Sequence, residues 1–158
     1  MIKKHFYSWQ DIEAMCTNIV KQMYADNYKP DYIVGITRGG NIPATIISNM
    51  LDIPCEAIKV SFRNDDRVET DFWLKQHVLE KNILVVDDIN DTGATFKWLW
   101  DNWNLSEKEH SVKFATLTEN TPSVFGQVSY CVHEVNKTEE DVWLVYPWEN
   151  VGDYDVRN

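Results

Sequence analysis

Ile83-Leu-Val-Val-Asp-Asp-Ile-Asn-Asp-Thr-Gly-Ala-Thr95 is the stretch that decides the fold. Asn82 to Asp87 is a β-branched, apolar run of the kind found in parallel strands covered on both faces. Such a strand delivers its terminal acids to the carboxyl edge of a sheet, where open α/β folds bind ligands. The Thr92-Gly-Ala-Thr95 turn then gathers backbone N–H groups, hydroxyls and a helix N-terminus around one point, which suits a phosphate. Gly93 allows close backbone approach, and Ala94 keeps the pocket open. A valine at Gly93 is therefore expected to block the phosphate while leaving a folded protein. Asp87 and Asp88 suit ribose hydroxyls or a Mg²⁺ held partly through substrate oxygens. A loop that only caps a helix has no need of a strand, paired acids, a third acid and a small-residue turn in this order within thirteen residues.

Upstream, Asp31 to Ile36 reads as a short strand, followed by the turn Thr37-Arg-Gly-Gly40 and a helix with Pro43 in its first turn, running to about Leu51. Cys55 to Phe62 reads as another strand, and Arg63 to Asp71 as a charge-dense loop. Near the start, Ser8 and Asp11 resemble a capping box that opens a helix with the stripe Ile12, Met15, Cys16, Ile19 and Met23, ended by Asn27 and Pro30. Downstream, the helix after the small-residue turn extends to about Leu105. Phe96, Leu99, Trp100 and Trp103 form its core stripe, with Trp98 on the opposite face. Lys113 to Leu117 and Val128 to Val135 supply two further strands, and Asp141 to Trp148 is an aromatic tail. Strands and helices alternate. The expected fold is α/β, a mainly parallel central sheet flanked by helices.

Composition bounds the function. A chain of 158 residues with 44% apolar and 25% charged residues is expected to form a single domain with a full core. Its longest apolar run, Ile83 to Val86, is too short to cross a bilayer, and the Met1-Ile-Lys-Lys-His5 start lacks an apolar signal core. Cys16, Cys55 and Cys131 are isolated, which points to free thiols and a cytoplasmic location. Four scattered histidines lack zinc-ligand spacing. A net charge of −10 disfavours nucleic acid as a partner. It leaves room for a small anionic substrate in a locally positive cleft.

The segment from Ile83 resembles the signature of the type I phosphoribosyltransferases, an apolar strand followed by D-D-x-x-D-T-G-x-T, matched by Asp87, Asp88, Asp91, Thr92, Gly93 and Thr95. Ile33-Val-Gly-Ile-Thr-Arg-Gly-Gly-Asn-Ile-Pro43 is similar to the family's pyrophosphate loop. Trp143-Leu-Val-Tyr-Pro-Trp148 is similar to the C-terminal hood of its xanthine-guanine branch. The resemblance implies transfer of the 5-phosphoribosyl group of 5-phosphoribosyl-1-pyrophosphate (PRPP) to a free purine base, with release of pyrophosphate and Mg²⁺ as cofactor. By analogy, Arg38, Gly39 and Gly40 hold pyrophosphate, and Asp91, Thr92, Gly93, Ala94 and Thr95 hold the 5′-phosphate. Asp87 and Asp88 hold the ribose diol, with Asp88 as the Mg²⁺ contact, directly or through substrate or water. Asp91 is then the candidate general acid/base. Arg63 to Asp71 corresponds to the mobile loop, with Ser61-Phe62 where relatives often have Ser-Tyr. Within it Arg67, the second candidate catalytic residue, or Arg63 brings positive charge to the pyrophosphate. Trp143 stacks on the base with Leu144 beside it, and residues 1–10 and 136–158 form the hood. Family members usually associate, so a homodimer or homotetramer with Trp98 near a contact is expected.

One departure bears on specificity. The xanthine-guanine enzymes carry a lysine at the end of the strand after the signature helix, where it donates to the purine 6-oxo group. A gapless count places Asn120 there, beside Glu119, and no lysine occurs between Lys113 and Lys137. Asn120 is then the expected base contact. An amide both donates and accepts, so broader selection at the 6-position follows, with xanthine losing most.

Overall fold

The computed structural model describes residues 2–60, 68–69, 81–103, 105 and 111–149. In chain order these form β1 (Lys3–Phe6), α1 (Trp9–Ala25), β2 (Tyr32–Thr37), α2 (Asn41–Leu51), β3 (Cys55–Val60), β4 (Val68–Glu69), β5 (Ile83–Asn90), α3 (Ala94–Asn102), β6 (Val112–Asn120), β7 (Val128–Tyr130), β8 (His133–Val135) and β9 (Val142–Val145). The main sheet runs β4-β3-β2-β5-β6-β7, with β8 pairing farther along β6. Only β4 is antiparallel to its neighbour. The expected α/β architecture is present.

β5 lies at the centre, and its composition follows from being covered on both sides. Leu84 and Val86 pack with α1 and α2, whereas Ile83 and Val85 pack with α3. All four are fully buried, so period-two alternation carries no polarity and the sequence reads as one apolar run. α1 is secured at its start by the Ser8–Asp11 capping box, with Ser8 N donating to Asp11 Oδ2 at 2.8 Å and Asp11 N donating to Ser8 Oγ at 3.0 Å. Its buried residues are the five of the expected stripe.

Several boundaries differ from expectation. β5 continues through both acids to Asn90, because β6 stays paired with it as far as Asn90↔Glu119. α3 stops at Asn102 rather than near Leu105, and the Val128–Val135 strand breaks into β7 and β8. β3 ends at Val60, while Ser61 and Phe62 lie outside the described residues. Trp98 is half-buried against its own chain's core, which removes the exposed indole that pointed to a contact. β1 and β9 pair in parallel as a separate two-stranded sheet, built from the two segments expected to form the hood.

Candidate active site

The sheet places Asp87 and Asp88 at the carboxyl end of β5, directly across from the turn that follows β2. A Cβ at Gly39 would lie 2.0 Å from Asp88 Oδ2 and 3.4 Å from Trp148 Nε1, so glycine leaves the space between that turn and the acids open. Gly40 packs against the β5 backbone itself, since a Cβ there would meet Val86 O at 2.6 Å. Arg38 is exposed beside them, after a cis Thr37–Arg38 peptide. Arg38, Gly39, Ile42, Asp88, Trp148 and Glu149 line a cavity of about 590 Å³.

The two acids have no ion-pair partner among the described residues. Burial pushes the Asp87 carboxyl well above the usual carboxylate range, and the neighbouring Asp88 carboxylate pushes it further; burial also raises Asp88. Every ion pair among the described residues involves other acids. Trp148 Nε1, at the same cavity, is buried with no hydrogen-bond partner among the described residues. Two crowded carboxyls and an idle N–H are what a ligand carrying a divalent cation would satisfy. No cluster of three metal-binding side chains occurs among the described residues. The acids therefore fit a Mg²⁺ that takes other ligands from substrate oxygens and water.

Beside them a second cavity, of about 90 Å³, is lined by Asp87 and Ile89 to Phe96. Gly93 adopts φ +91° and α3 begins at Ala94, so the helix N-terminus faces this hollow. Ala94 N donates to Thr92 Oγ1 at 3.3 Å, and Val124 N donates to Thr92 O at 2.9 Å, fastening the turn. The expected outcome of Gly93→Val needs correction. A Cβ there would meet the Phe125 and Val124 nitrogens at 2.6 and 2.9 Å, in a backbone conformation that β-branched residues avoid. The substitution strains the fold instead of reporting on phosphate alone.

The residues expected to contact the base lie in different settings. Asn120 is buried, and its Nδ2 donates to Asp91 O at 3.0 Å and Asp91 Oδ1 at 3.3 Å, while its Oδ1 accepts from Lys137 N at 3.0 Å. Its amide joins two protein segments. Lys137 Nζ lies 2.9 Å from Asp91 Oδ2, so a cation reaches the third acid from the turn after β8. Trp143 stands on the outer face of β9 and is 59% exposed, whereas Leu144 is buried in the core. Trp148 is the hood tryptophan at the cavity, stacked on Tyr146 with centroids 4.9 Å apart. Tyr146 in turn donates to Asp88 O at 3.1 Å. Arg63 and Arg67 lie outside the described residues. Sequence reasoning thus missed Lys137, Trp148 and Tyr146, although both aromatic residues stood within the quoted hood segment.

Comparison with known proteins identifies the family. Residues 3–147 match the phosphoribosyl transferase domain family. Xanthine-guanine phosphoribosyltransferase of Idiomarina loihiensis is 29% identical over 153 residues, covering 93% of this chain and 88% of that protein. A purine phosphoribosyltransferase from Pyrococcus horikoshii superposes with a TM-score of 0.71 at 27% identity, over 93% of this chain and 95% of that one. A hypothetical protein from Neisseria gonorrhoeae with bound ppGpp superposes with a TM-score of 0.74 at 26% identity, over 96% and 92% of the two chains. The chain belongs to the phosphoribosyltransferase family. Its relatives include enzymes named for purine bases.

Proposed function

We propose that this protein transfers the 5-phosphoribosyl group of PRPP to a purine base in purine salvage, releasing pyrophosphate. The reading is carried by the uncompensated Asp87–Asp88 pair, set between the open Gly39 turn and the Asp91–Thr95 hollow. Arg38 and the Gly39–Gly40 backbone receive the pyrophosphate, and Asp91 to Thr95 receive the 5′-phosphate. Asp87 and Asp88 hold the ribose diol. Mg²⁺, when bound, supplies positive charge between these acids and the substrate's oxygens.

In the transfer, a base nitrogen forms a bond to ribose C1 as the C1–oxygen bond breaks, and the electron pair leaves with pyrophosphate. Asp91 accepts the proton that the base loses. An oxocarbenium-like transition state requires the leaving charge to be neutralised and water excluded. The Arg63–Asp71 loop, with Arg67, is assigned to closing over the pyrophosphate, and the Trp148 ring to flanking the base.

Pyrophosphate release should depend on PRPP, a free purine base and Mg²⁺ together. Gly39→Ala tests the site without touching a charge. Its methyl group would displace the Asp88 carboxylate, so PRPP affinity measured by calorimetry should fall by about 100-fold, or about 2.7 kcal/mol. Affinity equal to the parent's would remove the turn from the site.

The ppGpp-bound neighbour favours one addition to this reading. A guanine nucleotide bearing two diphosphates combines a purine, a ribose and a 5′-phosphate group with a further diphosphate, so ppGpp is proposed to enter this cleft as a competitor. Inhibition by ppGpp that is relieved by excess PRPP would support this. We also assign the whole chain to one domain that functions in the cytoplasm as a homodimer or homotetramer. Light scattering at micromolar concentration and a single cooperative unfolding transition are the corresponding tests. No described helix is long and apolar enough to cross a membrane.

A further inference from the structure

We propose that His133 is a positioning residue for Asp88: its Nδ1 carries a hydrogen and begins an unbroken run of hydrogen bonds, through Tyr7, Thr118 and Tyr146, that holds the Asp88 carbonyl. The inference rests on the reading of Asp88 as a contact for the ribose diol and Mg²⁺. Segments distant in the chain meet along this run. β8 pairs with β6 so that His133 lies beside Thr118 in register. Tyr7 follows β1 and Tyr146 follows β9, and Tyr7 N donates to Val145 O at 2.9 Å. Tyr7 Oη meets His133 Nδ1 and lies 2.9 Å from Thr118 Oγ1. Tyr146 Oη lies 3.0 Å from Thr118 Oγ1 and 3.1 Å from Asp88 O. The tyrosines and the threonine are all buried.

A count of hydrogens assigns the imidazole its part. The run has four contacts, and each needs a hydrogen of its own. A hydroxyl carries one and a backbone carbonyl none. Tyr7, Thr118 and Tyr146 together supply three, so the fourth comes from His133 Nδ1. With Nδ1 as an acceptor, one contact among buried groups would stay unfilled. Burial and the neighbouring His5 ring hold His133 below the ordinary histidine value, so near neutral pH the ring is uncharged and its single hydrogen must sit on one nitrogen. The other end of the run shows what this secures. Asp87 and Asp88 crowd each other, and Asp88 Oδ1 accepts only a local bond, from Ile89 N at 2.8 Å. The Tyr146 bond to the Asp88 carbonyl comes from outside β5 and fixes the acid's backbone before a ligand arrives. Tyr146 also stacks on Trp148, which lines the same cavity. Hydrogen bonds in a run polarise one another, so a loss at His133 weakens the last link.

Nitrogen NMR of the histidine rings, together with PRPP binding by calorimetry in the presence of Mg²⁺, tests the proposal. At a pH where the His133 ring is neutral, the parent should show Nδ1 protonated and Nε2 bare, the signals being assigned by their loss in His133→Asn. His133→Leu removes the donor and should weaken PRPP binding by about 10-fold, with kcat at saturating PRPP within about twofold of the parent. His133→Asn places an amide nitrogen as far along the side chain as Nδ1, and it should restore affinity to within about threefold of the parent. A neutral parent ring protonated on Nε2 alone overturns the proposal, and this result needs no folded leucine variant. Equal affinity in the parent and His133→Leu overturns it too. So does a loss that asparagine fails to restore, or one that falls on kcat and affinity alike, the mark of a general loosening. A parent that binds no PRPP refutes the reading of Asp88 itself, a different failure and one seen before any variant is made.

Discussion

Two sets of polar groups lie close together at the carboxyl edge of the sheet, and the protein treats them in opposite ways. At the end of β5, Asp87 and Asp88 crowd each other without a cation among the described residues, and Trp148 Nε1 beside them has no partner there. Beneath the hood, Thr118 Oγ1 lies 2.9 Å from Tyr7 Oη and 3.0 Å from Tyr146 Oη. Tyr7 Oη also meets His133 Nδ1, and Tyr146 donates to Asp88 O. Burial holds both phenols above the ordinary tyrosine value, so they remain neutral hydrogen-bonding groups. Buried polar groups are normally bonded, so a cluster left incomplete marks where something else must arrive. The complete cluster ties the hood to the strand that carries the acids. One region awaits a ligand, and the other holds the frame.

The largest effect should come from the incomplete set. Asp88→Asn removes a charge but little volume, so the fold should persist while kcat/KM for pyrophosphate release falls on the order of 10²- to 10³-fold. Circular dichroism would verify folding in the same sample. A loss below about tenfold would mean that Asp88 is a bystander, and the contrast between the two clusters would lose its functional meaning.

Thr118→Val should act in the other direction, on stability. It removes the hydroxyl shared by Tyr7 and Tyr146 and leaves each phenol one partner short in a buried setting. A cost of about 1–3 kcal/mol is expected, read as a lower urea midpoint with unchanged slope. If stability holds, the bonded run is incidental and does not secure the hood.

How far the sequence revealed this contrast depended on the range of the interactions. The strand, acids and small-residue turn were legible because their chemistry is local, and the capping box with its five-residue stripe fixed α1. Lys137 was invisible to a gapless count because it meets Asp91 across 46 positions, brought there by β8 pairing beside β6. The settings of the two hood tryptophans were hidden for a different reason. Val142-Trp-Leu-Val145 is apolar at every position, so alternation does not reveal that Val142 and Leu144 face inward and Trp143 outward. The partial burial of Trp98 was hidden because helical periodicity names the face opposite the stripe without saying whether other side chains cover it.

A third test uses the incomplete set for stability. Asp87→Asn should inactivate the enzyme yet raise the melting temperature in the absence of ligand, by about 1 kcal/mol or roughly 2–4 °C. The pH dependence has a definite sign. Folding raises the Asp87 carboxyl above its unfolded value of about 3.9, so the folded parent binds the proton more tightly and loses stability as pH climbs through that interval. The advantage of asparagine should be full above the raised value and shrink as pH falls toward about 4. An advantage independent of pH would point to packing, with charge playing no part.

The smallest expected effect is the sharpest check. Thr116 lies two positions before Thr118 on β6, opposite Asp87 in register, and both threonines are fully buried. Thr118 Oγ1 has two partners, whereas Thr116 Oγ1 has none among the described residues. Valine matches threonine in shape, so Thr116→Val deletes a desolvated hydroxyl without opening a cavity. Removing a polar group that makes no hydrogen bond is neutral or favourable, so stability should stay level or rise by up to about 1 kcal/mol. Turnover should remain within about twofold of the parent, since a hydroxyl that contacts no reacting group contributes nothing to the transition state. Two results would be informative in opposite ways. A loss above about 1 kcal/mol would reveal a bound water completing Thr116, placing it with the frame. A stable variant with lowered kcat/KM would place it with Asp87 among the groups that wait for substrate. Only the neutral result keeps the boundary between the two clusters where the hydrogen bonds draw it.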